Sequence, residues 1–456
     1  MKRLLLLSVS VLCCGPSFAP ARAGASEGKP NFVIMMCDDQ RWDAMSLMGN
    51  TVLQTPHMDR IGREGIVFKN MFVVNSLCGP SRASILTGTY SHTNGVVDNK
   101  GAVDIAPGTP FMPELLRAAG YEVAFCGKSH QKSALRDRTW DYYFGYKGQG
   151  RYPNPIIAEG TDGKDVEWKG WMDDVVTDKA VDWLKSRKDK PFCLFLWFKA
   201  CHRSWVRPDR LKDLYNDITV PKPALWEDAG AGKPEAFLKA DNRIGGFKDV
   251  ADYQKFMKDY YATIVGADEN VGKVLDTLTK LGKLDDTMVL HTGDNGFFLG
   301  EWQRFDKRFM HEPSIRVPMV VRYPKLIKPG SVSERMVLNI DIAPTMLELA
   351  GVEVPKAMQG RSWAPLFKDP SAEFRKDWLY EYFEYPAEHK VRKHRGVRTD
   401  DWKLIHYYEA PEEFELYDLR KDPWEKENLY GKPEFADRVT QLKARLEGLR
   451  KETGDN

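Results

Sequence analysis

Long apolar runs, plentiful cysteine and an excess of charge of one sign are what this sequence lacks. Beyond its first two dozen residues no stretch reaches the roughly 20 apolar residues that a membrane-spanning helix needs. Cys13 and Cys14 fall in a leader-like segment, which leaves Cys37, Cys78, Cys126, Cys193 and Cys201. That set is sparse for a disulfide scaffold and has no CxxC spacing to suggest zinc or redox chemistry; pairing is left open. Lysine plus arginine number 67 against 65 acidic residues, and setting aside Lys2, Arg3 and Arg22 of the leader brings the balance to −1. No broad basic field is available to gather polyanions, so nucleic-acid binding is not expected and charge recognition must be local. Low-complexity tracts and internal repeats are also absent.

What is present begins with residues 1–23. Lys2-Arg3, an apolar run from Leu4 to Cys14 and the small-residue site Ala21-Arg-Ala23 predict a secretory signal peptide and export to the periplasm or the exterior, with no membrane span. The remainder is long enough for one large and one small domain. Residues 31–37, 66–74, 121–126, 192–198, 287–292 and 317–322 read as strands, several of them continuously apolar as in sheets buried on both faces. Helical spacing is found over 58–64, 111–120, 173–187, 253–281 and 341–350, the fourth being the clearest amphipathic pattern. Residues 140–170, rich in Gly, Tyr, Trp and Pro, read as a structured loop walling a pocket, and 207–250 as mostly loop. After about residue 369 the pattern changes to short antiparallel strands (378–383, 396–399, 403–408, 415–418) and a charged helix over 435–451. Elements that alternate early and segregate late predict a large α/β domain, 24–369, and a small α+β domain, 370–456.

Four strands end in oxygen- or nitrogen-bearing side chains: Asp38/Asp39, Lys128/His130, His202, and Asp294/Asn295. Each group alone has a bland reading as a cap, a surface charge or a structural histidine. Open α/β sheets bind ligands beyond the carboxyl ends of their strands, so parallel strands would put all four sets on one rim. Asp38, Asp39, Asp294 and Asn295 supply the hard oxygens that Ca²⁺ or Mg²⁺ prefers, whereas zinc would want Cys and His at short spacing. A divalent ion reverses the repulsion that clustered carboxylates would exert on an anionic ester. Cys78, with Pro80 in the following turn, sits just ahead of a helix whose N-terminal N–H groups favour an anion, beside Arg82.

The string from Cys78 to Gly88 resembles the type I sulfatase signature C-x-P-S-R-x-x-x-L-T-G at every fixed position. The resemblance extends through Gly127-Lys-Ser-His130, Gly293-Asp-Asn-Gly296, Phe305-Asp-Lys-Arg308 and the pattern Arg398-Thr to Asp422-Pro. It implies an alkaline-phosphatase-like α/β sandwich with a large, mostly parallel mixed sheet flanked by helices, plus a C-terminal α+β part with an antiparallel sheet. It also implies that a maturation enzyme oxidises Cys78 to formylglycine, whose hydrate attacks sulfur, and that Asp38, Asp39, Asp294, Asn295 and modified Cys78 ligate Ca²⁺ (or Mg²⁺). On the same basis Lys128 and Lys307 bind the sulfate oxygens, Arg82 holds the hydrate, His202 protonates the leaving oxygen and His130 takes a proton from the second hydroxyl. Cys201 stands where many relatives carry proline. The strings around Cys78 and His202 look closest to N-acetylglucosamine-6-O-sulfatase-like enzymes, which act on sulfated oligosaccharides or polysaccharides. His394 and Arg398 are candidate sugar contacts. Two alternatives are a phosphodiesterase or phosphonate monoesterase on the same fold, and a catalytically silent glycan-binding protein.

Overall fold

The computed structural model describes residues 28–100 and 104–455; the leader expected over 1–23 lies outside them. Eleven strands form one mixed sheet in the order β11-β2-β12-β8-β1-β7-β3-β4-β5-β6, with β13 paired to β2. Its centre is parallel: β8 (Thr287–Gly293), β1 (Asn31–Cys37), β7 (Phe192–Trp197), β3 (Glu122–Lys128) and β4 (Tyr142–Tyr146). The flanks turn antiparallel through β12 (Met319–Arg322), β2 (Ile66–Phe72) and β11 (Arg316–Val317) on one side, with β13 (Ser331–Leu338) parallel to β2. On the other side lie β5 (Ile156–Glu159) and β6 (Asp165–Glu167). The segment 140–170 is therefore not only loop. Tyr142, Tyr143, Phe144 and Tyr146 are strand residues of β4, as the β-propensity of Tyr and Phe allows, while Trp140, Tyr152 and Trp168 lie outside the strands.

Every residue of β1, β7 and β8 is buried. A fully buried Leu, Phe or Met contributes about 1.5–3 kcal/mol, so such runs are stable only in mid-sheet with both faces covered. One face is covered by α1 (Pro56–Arg63), α5 (Met172–Lys185) and α7 (Tyr253–Lys280). The other is covered by α2 (Cys78–Thr87), α4 (Met112–Ala118) and α9 (Ile342–Leu349). Asp252 caps α7, its side chain accepting from Lys255 N at 2.6 Å. Short elements complete the chain: α3 (Ser91–Asn94), α6 (Glu235–Leu238), β9 (Phe298–Leu299), β10 (Phe305–Asp306), α8 (Glu312–Ile315) and α10 (Pro365–Lys368).

A second sheet joins β14 (Asp377–Tyr382), β15 (His394–Thr399), β16 (Trp402–Tyr407) and β17 (Glu413–Asp418) as an antiparallel meander, followed by α11 (Ala436–Thr453). Its core is continuous with the large unit, Phe72, Val74, Leu77, Phe309 and Ile315 packing with Trp378, Tyr380, Val397 and Leu404.

Candidate active site

The four strand ends do meet. Asp38 and Asp39 follow β1, Lys128 is the last residue of β3, His202 follows β7, and Asp294 and Asn295 follow β8. Gly127 lets β3 deliver Lys128. Its φ is +115°, and a Cβ there would stand 1.9 Å from the Trp197 carbonyl oxygen on the paired strand. Cys78 is the first residue of α2 rather than a residue ahead of it, and Gly88 ends that helix in the left-handed region at φ 67°.

Cys78 Sγ donates to Asp38 Oδ1 at 3.2 Å and accepts from Lys307 Nζ at 3.1 Å. Lys307 Nζ also binds Asp39 Oδ1, and Lys128 Nζ binds Asp38 Oδ2 and Gln149 Oε1. Arg82 donates Nε to Asp294 Oδ2 at 2.9 Å, places Nη2 2.8 Å from the same oxygen, gives Nη1 to the Lys128 carbonyl, and lies over the Trp197 ring at 5.4 Å. Asp294 Oδ1 accepts the Asp39 backbone N–H at 3.0 Å. One ligand atom from each of Asp38, Asp39, Cys78 and Asp294 lies within 4.8 Å of the others, and all four residues are buried.

Asp39 Oδ2 and Asn295 Oδ1 are buried with no hydrogen-bond partner, and Asn295 Nδ2 donates to Asp39 Oδ1 at 2.8 Å. Buried acceptors are rarely left bare. Orphaned hard oxygens beside three carboxylates fit an oxygen-liganded divalent cation.

The electrostatics are divided. Burial works to raise the Asp38 pKa, but Lys128, His202, Arg82 and Lys307 hold it well below the usual carboxylate range. Burial pushes Asp39 up to about 7, with Asp38 and Asp294 adding to the rise and Lys307 opposing it. Burial and Asp38 likewise push Asp294 up against Arg82. Burial, reinforced by Asp38, raises the Cys78 thiol, which makes an unmodified thiol a poor nucleophile here. Burial and the Lys128 charge hold His130 and His202 well below the ordinary histidine value.

A cavity of about 490 Å³ opens over the cluster, lined by His130, His202, Lys307, Asn99, Lys100, Gln149, Arg203, Asp306, Arg308, Glu384, Ala387 and Glu388. Sequence reasoning missed Gln149, Arg203, Arg308 and Glu384. Arg203 and Arg308 adjoin residues already singled out, and that adjacency was a usable signal. Gln149 lies in the 140–170 segment read as a pocket wall, whereas Glu384 carries no signal, because only tertiary packing brings it here.

His394 and Arg398 do not reach the cavity, which corrects their reading as sugar contacts. His394 is 0% exposed, encased by Tyr380, Tyr382 and Tyr407 with ring centroids 5.5, 5.1 and 5.0 Å away, and it donates Nδ1–H to the Arg392 carbonyl at 2.8 Å. Arg398 pairs with Glu312 at 3.3 Å and covers the Phe72 ring at 4.6 Å. Both follow from β15 packing one face onto the large unit. The cysteines Cys37, Cys78, Cys126, Cys193 and Cys201 are all free and buried.

Three acids, two lysines and Cys78 gathered at the carboxyl rim of a doubly wound sheet form a site suited to an anionic ester. The sulfatase family model matches residues 30–352, and a model described as N-sulphoglucosamine sulphohydrolase, C-terminal, matches 300–452. The chain belongs to the sulfatase family, and it is a sulfuric ester hydrolase. It is 40% identical to an N-acetylglucosamine-6-O-sulfatase of Bacteroides thetaiotaomicron, across 99% of this chain and 91% of that protein. A human N-acetylglucosamine-6-sulfatase is 28% identical, across 78% of this chain and 68% of its own. A solved structure of a protein in complex with its substrate D-glucosamine-2-N,6-O-disulfate superposes with a TM-score of 0.88 at 38% identity, covering 94% of this chain and 99% of that one. The phosphonate monoester hydrolase of Agrobacterium radiobacter shares the fold, with a TM-score of 0.77 at 20% identity over 93% of this chain and 96% of its own.

Proposed function

We propose that the protein removes 6-O-sulfate from N-acetylglucosamine-type sugars of sulfated glycans. The observation that carries this is the 40% identity to an N-acetylglucosamine-6-O-sulfatase over 99% of the chain, supported by the buried cluster of Asp38, Asp39, Cys78 and Asp294. Cys78 is the residue matured to formylglycine by a separate enzyme, and the aldehyde hydrate supplies the hydroxyl that attacks sulfur. Asp38, Asp39, Asp294 and Asn295 would hold Ca²⁺ or Mg²⁺, which supplies Lewis-acid charge stabilisation.

The chain's own side chains do the rest. Lys128 and Lys307, both buried and bridging to the carboxylates, turn their ammonium groups to the sulfate oxygens and stabilise charge as it develops. Arg82 acts from beneath, fixing Asp294 and the Lys128 carbonyl so that neither can drift. His202, whose Nδ1 lies 2.6 Å from the Arg203 carbonyl, presents Nε2 toward the cluster, 3.8 Å from Asp39 Oδ2, as proton donor to the departing sugar oxygen. His130, with Nδ1 buried and unpartnered, takes the proton whose loss restores the resting residue. An arriving sulfate brings the negative charge that raises both imidazoles from the low values imposed by burial.

The same proposal includes export through the leader over 1–23 to the periplasm or exterior, and a division into catalytic (24–369) and C-terminal (370–456) parts. Among the described residues no helix is long and apolar enough to cross a membrane. The test is a panel of defined sulfated saccharides, with an aryl sulfate and an aryl phosphate diester alongside. Turnover of 6-sulfated N-acetylglucosamine above the rest supports the assignment. Activity confined to galactose or uronic acid sulfates, or a preference for the phosphate diester, overturns it.

A further inference from the structure

Three side chains able to ligate a metal converge where α11 ends, apart from the cluster around Cys78. His92 stands in α3, Glu381 in β14 and Asp455 just past α11, and one donor atom from each lies within 4.8 Å of the others. His92 Nδ1 faces Glu381 Oε1, while His92 Nε2 lies 2.9 Å from the Thr453 carbonyl. A carbonyl only accepts, so Nε2 carries the hydrogen. Nδ1 then presents a lone pair to a carboxylate oxygen that also only accepts. Two acceptors in direct contact share a proton, and a cation that replaces it must draw them apart and bind both.

An independent sign comes from Glu381, which is 1% exposed and whose second oxygen, Oε2, is buried without a hydrogen-bond partner. The surroundings are those of a ligating set. Metal-bound imidazoles donate their second ring N–H to a carbonyl or carboxylate, and the Thr453 carbonyl is itself anchored by Gln359 Nε2 at 2.6 Å. Arg450 Nε lies 2.6 Å and Arg395 Nη1 3.8 Å from Asp455 Oδ2.

The geometry points to a second metal site, His92–Glu381–Asp455, for a divalent ion of the zinc class. One imidazole nitrogen with two carboxylates is a mixed N/O set that suits Zn²⁺, in contrast to the hard-oxygen cluster at Asp39. Binding takes the neutral form of His92, so any proton on Nδ1 is released as the ion enters. The ion ties the end of α11 to β14 and to α3. Since α3 directly follows α2, it braces the helix that begins at Cys78 without touching the chemistry. The rival occupant is the proton itself, an imidazolium whose pKa burial lowers but Glu381 lifts above the ordinary value.

The experiment keeps the full protein in excess Ca²⁺, to fill the oxygen-rich cluster, and titrates ZnCl₂ by native mass spectrometry and calorimetry. The expected result is a single Zn²⁺ per chain, uptake that weakens below about pH 6, and a Tm rise of about 3 °C at a hundredfold excess over Kd. His92→Gln and Glu381→Gln should each lose at least tenfold in affinity. A wild-type protein that retains no Zn²⁺, or variants that take up as much as wild type, overturns the site in favour of the proton or of adventitious surface binding. If Glu381→Gln fails to fold, His92→Gln and Asp455→Asn, at half-buried positions, carry the same comparison.

Discussion

Asp173 links the fold to the chemistry through two hydrogen bonds. It lies in the first turn of α5, is 0% exposed, and accepts the backbone N–H of Lys199 at 2.7 Å on Oδ1 and of Ala200 at 2.9 Å on Oδ2. Those amides begin the turn that carries His202 to the cavity, and Tyr152 Oη donates to the His202 carbonyl at 2.7 Å to fix its far end. Asp173→Ala leaves two buried donors bare at about 1–3 kcal/mol each, a loss of about 2–6 kcal/mol. Asp173→Asn keeps one acceptor and loses about half of that. A shift of His202 by about 1 Å costs on the order of 10²-fold in rate. The Asn variant should therefore show a lower urea midpoint at unchanged m-value. Its kcat should fall by about 10²-fold with KM changed far less, because Lys128 and Lys307 sit on other elements. Since His202 is the proposed proton donor, the loss should be greater for a sugar sulfate than for an aryl sulfate, whose leaving group needs less protonation. An Asp173→Asn protein with wild-type midpoint and kcat would refute the reasoning.

Three further outcomes follow from the structure. Burial pushes His394 down to about 4 from an ordinary 6.5. As pH falls through that window the unfolded chain gains a proton the folded one refuses, and about 3 kcal/mol of stability is lost. His394→Phe should flatten that part of the pH dependence in urea midpoints at pH 7.5 and 4.5, and equal slopes would count against the buried neutral ring. Gly127→Ala forces a Cβ to 1.9 Å from the Trp197 oxygen, so it should cost roughly 3 kcal/mol or more and abolish turnover. A stable, active variant would contradict the β3–β7 register. Chelation should lower the rate by about 10²-fold or more, reversibly with Ca²⁺ or Mg²⁺ and not with Na⁺, and an unaffected rate would argue against a cation at Asp39 and Asn295.

Much of the site could be read from the sequence because it sits at strand ends. Apolar runs such as 31–37 and 192–198 are too uniform to be anything but central strands, and the polar residue that stops each one marks the rim. Lys307 lies on no such strand and was recognised only through a familiar string. The antiparallel flanks were harder. The strand Ser331–Leu338 alternates polar and apolar residues weakly, with a register shift between Ser333 and Met336, and it gave no signal in the chain. The strands between 140 and 170 were hidden by their glycines and prolines. His394 and Arg398 misled for another reason. On a small sheet polar residues normally face solvent, but β15 is pressed between α11 and the large unit, so its histidine is caged by tyrosines and its arginine neutralised by Glu312. Gln149 and Glu384 reach the cavity from loops far apart in sequence, a closeness that no local pattern encodes.

The most direct measurement is sulfate released from 6-O-sulfated N-acetylglucosamine by wild-type protein and by Cys78→Ala, each produced with the maturation enzyme. The proposed chemistry predicts stoichiometric release by the wild type and a fall of at least about 10⁴-fold in the variant. Release by Cys78→Ala at the wild-type rate would contradict it.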